Sequence, residues 1–190
     1  MALGGREILL RRPRDPDALA TKEAYEADEF LPYWAELWPV ALELAEAVIG
    51  RALKGARVVE LGCGLGLPSI AAALAGGRVL ATDWASDAAA VVAANAELNG
   101  VHVDTAVVDW REPDELLARG PFDLLLASDV LYENRNLDPL LAVLPRLAPE
   151  VWIADPGRPR LDGFLADAGR GWDIETHGRI HRLRRREPEA

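Results

Sequence analysis

The sequence predicts an α/β fold, a doubly wound and mostly parallel sheet of seven strands that ends in a C-terminal antiparallel hairpin. Three observations carry that expectation. Short apolar runs alternate with amphipathic or alanine-rich segments between residues 57 and 168, the rhythm of strand–helix units that wind a parallel sheet. The stretch Phe122-Asp123-Leu124-Leu125-Leu126-Ala127 is almost continuously apolar, as a central strand buried on both faces requires. Two C-terminal strand-like stretches are separated only by His177-Gly178, a link too short for a parallel crossover.

The elements follow in order. Residues 1–20 are polar and rich in Arg, Asp and Pro, and are expected to form a mobile or surface-draped arm ahead of a single domain over 21–190. A charged, helix-favouring segment at 21–30 leads into Pro32-Tyr33-Trp34-Ala35-Glu36-Leu37-Trp38-Pro39. Pro39 suits the first position of a helix over 40–49, with Leu42, Ala45, Val48 and Ile49 on one face. Strands are expected at 57–61, 79–82, 103–108, 122–127 and 151–154. Helices between them are expected at 68–74, 88–98 (capped by Ser86 or Asp87), 113–118, 138–144 and 162–168. Pro139 lies next to the start of the 138–144 helix, and Pro145 is expected to kink or end it. Strands at 172–176 and 179–184 make the hairpin. The arrangement is Rossmann-like, so a ligand is expected beyond the carboxyl ends of the strands, beside the first of them.

Composition narrows the function classes. The 190 residues, half of them hydrophobic, suffice for one core, and no apolar run approaches the roughly 20 residues of a membrane span. The N-terminus lacks a secretory layout, and the single cysteine, Cys63, excludes an internal disulfide. Isolated thiol and imidazole groups argue against a metal site. A cytoplasmic protein without membrane association is expected. With 21 Lys plus Arg against 31 Asp plus Glu, the net charge of −10 disfavours nucleic-acid binding, which needs many cations on phosphates. Arg182, Arg184, Arg185 and Arg186 cluster near the C-terminus, either as a solvated face or as a docking patch for an acidic partner.

The chemistry concentrates at the strand ends. Val58-Val59-Glu60-Leu61-Gly62-Cys63-Gly64-Leu65-Gly66 reads as a buried strand, an acid, and glycines at alternate positions before a helix. Leu67 stands where a dinucleotide fingerprint takes its last glycine. A carboxylate beside the glycines repels a pyrophosphate but suits ammonium and sulfonium charges, which points to S-adenosylmethionine rather than NAD. Glu60, Asp83, Asp109 and Asp129 each end a successive strand and are expected along one sheet edge. Asp83 falls where a nucleotide site puts a carboxylate against ribose hydroxyls, a charge-assisted pairing. Trp84 and Trp110 either offer a face to adenine or pack under the adjacent helices.

These motifs resemble a known family. Glu60 through Gly66 followed by Asp83 looks like motifs I and II of the class I, seven-stranded S-adenosylmethionine-dependent methyltransferases. Trp34-Ala35-Glu36-Leu37-Trp38-Pro39 and Ser128-Asp129-Val130-Leu131-Tyr132 resemble the lysine-directed methyltransferase family 16. Asp155-Pro156-Gly157-Arg158 is similar to its branch that modifies the electron-transfer flavoprotein β-subunit. The resemblance implies that Gly62, Gly64 and Gly66 approach the methionine moiety with Glu60 supporting the loop. It implies that Asp83 holds the ribose, that Trp84 flanks the adenine, and that Asp109 and Trp110 lie at its edge. Trp38 would cover the cofactor or, with Trp34, clamp the sheet edge. Asp129 and Tyr132 would meet the acceptor nitrogen, Asp129 by capturing and orienting an ammonium.

The expected activity is therefore N-methyl transfer to a protein lysine. A small-molecule acceptor on the same scaffold stays open, as does a non-catalytic cofactor-binding module that holds a protein partner through Arg158 and the C-terminal arginines. A nucleic-acid amino methyltransferase is disfavoured, because the N/D-P-P-Y signature is replaced by Ser128–Tyr132 and the chain is acidic.

Overall fold

The computed structural model describes residues 1–16, 19 and 32–187. The helix expected at 21–30 lies outside the described residues.

Seven strands form one sheet in the order β5-β4-β3-β6-β7-β9-β8. They are β3 (Arg57–Leu61), β4 (Arg78–Asp83), β5 (Asp104–Val107), β6 (Leu124–Ser128), β7 (Glu150–Ala154), β8 (Trp172–His177) and β9 (Ile180–Arg185). The first five run parallel, and β9 is antiparallel to both β7 and β8. The chain winds outward from β3 to β5, then returns to lay β6 on the other side of β3. That reversal makes the carboxyl end of β3 the switch point of the sheet, where a crevice opens.

Strand parity builds two cores. Val58, Leu124 and Leu126 face a cluster with Val40, Leu44, Ile70 and Val92. Val59, Leu61, Leu125 and Ala127 face the other, with Leu116, Leu140 and Phe164. The first layer holds α1 (Pro39–Ile49), α2 (Leu67–Leu74) and α3 (Ser86–Leu98); the second holds α4 (Asp114–Arg119), α5 (Asn134–Leu147) and α6 (Leu161–Ala168). In β6, Leu124 through Ala127 are 1% exposed or less, so the apolar run does serve a central, two-sided strand. Each of those leucines contributes about 1.5–3 kcal/mol by leaving water.

Several details differ from the reading of the sequence, each for a physical reason. Helix α5 starts four residues earlier than expected and runs through both Pro139 and Pro145. Each proline removes one backbone hydrogen bond, a loss of roughly 3 kcal/mol in a helix interior. Leu140, Val143, Leu144 and Leu147, all buried on one face, hold the helix to the sheet across both breaks. Neither Ser86 nor Asp87 caps α3; Ala85 precedes it, and the Ala85 N–H donates to Asp83 Oδ1 at 3.1 Å. The hairpin turns one residue later, on Gly178-Arg179, with His177 paired to Ile180 and φ of +61° at Gly178. A two-residue turn with glycine first matches the right-handed twist of the flanking strands.

Residues at the N-terminus pack on the domain. A hairpin of β1 (Ala2–Leu3) and β2 (Arg6–Glu7) buries Leu3 and Ile8 against the first core. Beyond it the Leu9 N–H donates to Asn99 Oδ1 at 3.0 Å and the Arg11 N–H to Asn95 Oδ1 at 2.7 Å. Asn95 is fully buried in α3, and its Nδ2 donates to the carbonyls of Arg11 and Leu65. One amide side chain thus ties this segment to the glycine-rich loop.

Candidate functional site

A cleft, open to solvent, lies over the carboxyl ends of β3, β4, β5 and β6. Its floor is the loop from Gly62 to Gly66. Gly66 has φ of +79° and precedes α2; a Cβ there would sit 2.7 Å from both methyls of Val92. Gly64 has φ of +49°, and a Cβ there would come within 3.2 Å of the Trp34 carbonyl oxygen. Both positions require glycine, one to let α3 close under the loop and one to let the Tyr33–Ala35 3-10 turn lie across it.

Asp83 anchors the loop. It is 4% exposed, its Oδ2 accepts the Gly64 N–H at 3.0 Å and its Oδ1 accepts the Ala85 N–H. Burial pushes its carboxyl above the ordinary range, against those backbone hydrogen bonds, which favour the charged form. Trp84, 41% exposed, stands at the cleft rim, and Trp110 lies half-buried between the cleft and the second core. Asp109 also lines the cleft but is gripped by Arg111, whose Nε and Nη2 both donate to it. That hydrogen bonding holds the Asp109 carboxyl below its usual range.

The opposite wall is aromatic and charged. Trp38 Nε1 donates to the Tyr33 carbonyl at 2.9 Å, and the Tyr33 ring meets Trp38 and Tyr132 edge-to-face, with centroids 6.1 and 5.6 Å apart. Burial raises the Tyr132 phenol well above its ordinary value, with the neighbouring Glu133 adding to it, so the hydroxyl stays protonated. Asp129 follows β6 with φ of +55°, the only positive value at a non-glycine among the described residues. Its N–H is held by the Ala154 carbonyl at 2.8 Å, and its Oδ1 accepts the Arg158 Nε–H at 2.5 Å.

Ten of the eleven residues selected from the sequence line this one cleft: Trp38, Gly62, Gly64, Gly66, Asp83, Trp84, Asp109, Trp110, Asp129 and Tyr132. Glu60 does not. It is fully buried beneath the loop, where its Oε2 accepts the Ser69 N–H at 2.9 Å and the Ser69 hydroxyl. Burial raises its carboxyl to about 8, partly offset by the Ser69 hydrogen bonds. Glu60 thus lies under the loop, the supporting place that the family resemblance implies, and not at the cleft surface, where its charge alone aimed it. Tyr33, missed in the sequence, is the aromatic hub of the wall. Arg158 was noticed, but as a partner contact; its position beside Asp129 was not anticipated. Nothing local signals that pairing, because 29 residues separate the two.

Residues 35–152 match the family model described as lysine methyltransferase, methyltransferase family 16. The chain belongs to this lysine methyltransferase family. It is 34% identical over 136 residues to the electron transfer flavoprotein beta subunit lysine methyltransferase of Xenopus laevis, covering 67% of this chain and 53% of that relative. It is 37% identical over 138 residues to the ribosomal protein L11 methyltransferase of a Synechococcus strain, covering 70% and 43%. The crystal structure of the ribosomal protein L11 methylase from Lactobacillus delbrueckii subsp. bulgaricus aligns with a TM-score of 0.61 at 25% identity, over 76% of this chain and 78% of that one. The chain spans about half the length of the relatives it matches. The matched segment starts at the 3-10 turn and ends in β7, so it contains the glycine loop, Asp83, Asp129 and Tyr132.

Proposed function

We propose that the chain is an S-adenosylmethionine-dependent N-methyltransferase acting on a protein lysine. The observation that carries the reading is the convergence of the Gly62–Gly66 floor, Asp83, Asp129 and Tyr132 in one cleft at the switch point. Membership of the lysine methyltransferase family supports the same reading.

The residues present fit the cofactor. The glycine floor carries no side chains, and Gly62, Gly64 and Gly66 hold a left-handed backbone in which a Cβ would crowd Val130, the Trp34 carbonyl and Val92. Each Asp83 oxygen already accepts one backbone N–H and keeps a lone pair for a ribose hydroxyl. Trp84 and Trp110 offer apolar faces to an adenine, with Asp109 at its edge. Trp38, braced by Tyr33, covers the cleft from the N-terminal side. When bound, S-adenosylmethionine supplies a methyl group activated by a sulfonium.

The chain's own task is alignment and a dry environment. Holding a nucleophile at near-attack distance supplies on the order of 7–11 kcal/mol of the barrier. A lysine side chain, with an ordinary pKa of about 10.4, must arrive or become neutral to offer its lone pair. The aromatic wall of Tyr33, Trp38 and Tyr132 removes water, which lowers an ammonium's pKa. The protonated Tyr132 hydroxyl accepts or donates at the acceptor nitrogen, and Asp129 fixes its direction.

Incubation of the protein with methyl-labelled S-adenosylmethionine and a soluble cell extract tests the reading. Label that precipitates with protein and is released by protease supports it. Label confined to small solutes transfers the acceptor to a small molecule, and no label in either fraction, with the cofactor bound, leaves a non-catalytic binding module.

A further inference from the structure

The Asp129–Arg158 ion pair changes the electrostatics of the acceptor position. Asp129 lines the cleft with its side chain 4% exposed, and Arg158, which is not among the cleft-lining residues, has its side chain 29% exposed. Arg158 is fixed on both sides. The N–H groups of Gly157 and Arg158 donate to Oδ1 of the buried Asp155 at 2.8 and 2.7 Å, which shapes the loop after β7. Its guanidinium carbon stands 5.7 Å from the Tyr132 ring centroid, and Arg160 Nη1 donates to the Tyr132 carbonyl at 3.3 Å. The loop after β7 therefore clamps the loop after β6, and Arg158 is the charged tooth of that clamp.

We propose that Arg158 is a positioning residue that cancels the charge of Asp129, so that the carboxylate orients the acceptor amine without holding it protonated. The inference deepens the methyltransferase reading and rests on it. An unpaired carboxylate beside the reacting nitrogen stabilises ammonium and blocks the lone pair. Paired with a guanidinium, the same carboxylate keeps its hydrogen-bonding direction and loses most of its field. Most of the other charges near this position have partners of their own. Asp83 is hydrogen-bonded to two backbone N–H groups, Asp109 to Arg111, and Glu133 to Arg135 Nε at 2.8 Å. Asp155 points its Oδ1 into the loop while its buried Oδ2 has no hydrogen-bond partner among the described residues and adds to the negative field on Arg158, and Glu36 is bridged to Arg12 at 3.2 Å. The Asp129–Arg158 pair is thus the local control on charge where Val130 brings the loop after β6 against Gly62, its Cγ1 3.0 Å from where a Gly62 Cβ would stand.

A test needs no known acceptor, because S-adenosylmethionine and S-adenosylhomocysteine differ by one positive charge at the reacting atom. Their dissociation constants, measured by titration calorimetry on the full chain, give a ratio that reads the local field. Arg158→Gln leaves the carboxylate unpaired and is expected to raise the preference for the sulfonium by tenfold or more, the factor that unit charges about 12 Å apart reach at an effective dielectric near 20. Asp129→Asn is expected to move the ratio the other way by a similar factor. The double variant and Arg158→Lys are expected to lie within about threefold of the wild type. A merely structural clamp weakens both compounds alike and leaves the ratio unmoved in every variant, which overturns the inference. Should Arg158→Gln fail to fold, Asp129→Asn and Arg158→Lys decide it: a shift in the first and none in the second supports it, and any other pattern overturns it. Failure of either compound to bind the wild-type chain overturns the methyltransferase reading instead.

Discussion

The backbone N–H of Gly64 donates to Oδ2 of Asp83 at 3.0 Å, so the floor of the cleft is tied to the carboxyl end of the neighbouring strand. One carboxylate therefore does two tasks. It holds the loop in a left-handed turn that the chain does not favour without help, and it presents its remaining lone pairs upward. Asp83→Ala is expected to weaken S-adenosylhomocysteine binding by tenfold or more in calorimetric titration, since two backbone donors and the ribose contact are lost together. Asp83→Asn is expected to retain part of that affinity, because the amide oxygen still accepts one of the two N–H groups.

Gly64→Ala probes the close approach from the other side. The new methyl meets the Trp34 carbonyl oxygen at 3.2 Å and the residue must hold φ of +49°. Strain of about 1–2 kcal/mol is expected from the left-handed backbone alone. Thermal unfolding is expected at a lower temperature than in the wild type, with cofactor affinity reduced. An unchanged melting temperature would show that the Tyr33–Ala35 turn yields freely.

Glu60 gives a pH prediction with a definite sign. Its carboxyl titrates near 8 when folded against 4.5 for the free group, so the folded chain holds a proton that the unfolded chain releases. Stability from this group is complete below about pH 4.5 and is lost as pH rises toward 8. Glu60→Gln removes that dependence while keeping an acceptor for the Ser69 N–H. Denaturant titrations are expected to show wild type and variant nearly equal at pH 5, with the variant more stable at pH 8 by on the order of 2–4 kcal/mol. A gap that shrinks with rising pH would contradict this.

Asp129→Asn separates chemistry from binding. Transfer to the protein acceptor is expected to fall on the order of a hundredfold, the usual loss when a reacting group is misplaced. Affinity for S-adenosylhomocysteine, which lacks the sulfonium charge, is expected to stay within about threefold, because the thioether sulfur presents no charge to the altered side chain. Parallel loss of both would make Asp129 a structural residue of the β6 loop.

What the sequence carried was whatever physics is local. Apolar runs marked β3, β4, β6 and β7, and Pro39 marked the start of α1, because burial on two faces and a fixed φ leave their trace in adjacent residues. Glu60 was aimed at the ligand by its charge alone, although its parity was readable and the family resemblance gave it as support for the loop. It lies two residues after Val58, on the face covered by α1, α2 and α3, and so points under the loop toward Ser69. The course of α5 through two prolines was hidden, because tertiary burial of Leu140, Val143, Leu144 and Leu147 outweighs a local signal against helix. The Asp129–Arg158 pair was hidden for another reason: it depends on two loops from adjacent parallel strands meeting at the sheet edge, a relation set by topology.

The central claim is that the methyl group ends on a lysine nitrogen of a protein. Its most direct test is amino-acid analysis of protein labelled with methyl-labelled S-adenosylmethionine, after complete hydrolysis. The expected result is label in Nε-methylated lysine, reduced on the order of a hundredfold by Asp129→Asn. Label recovered in methylated histidine, arginine or a non-protein solute, with lysine unlabelled, would contradict it.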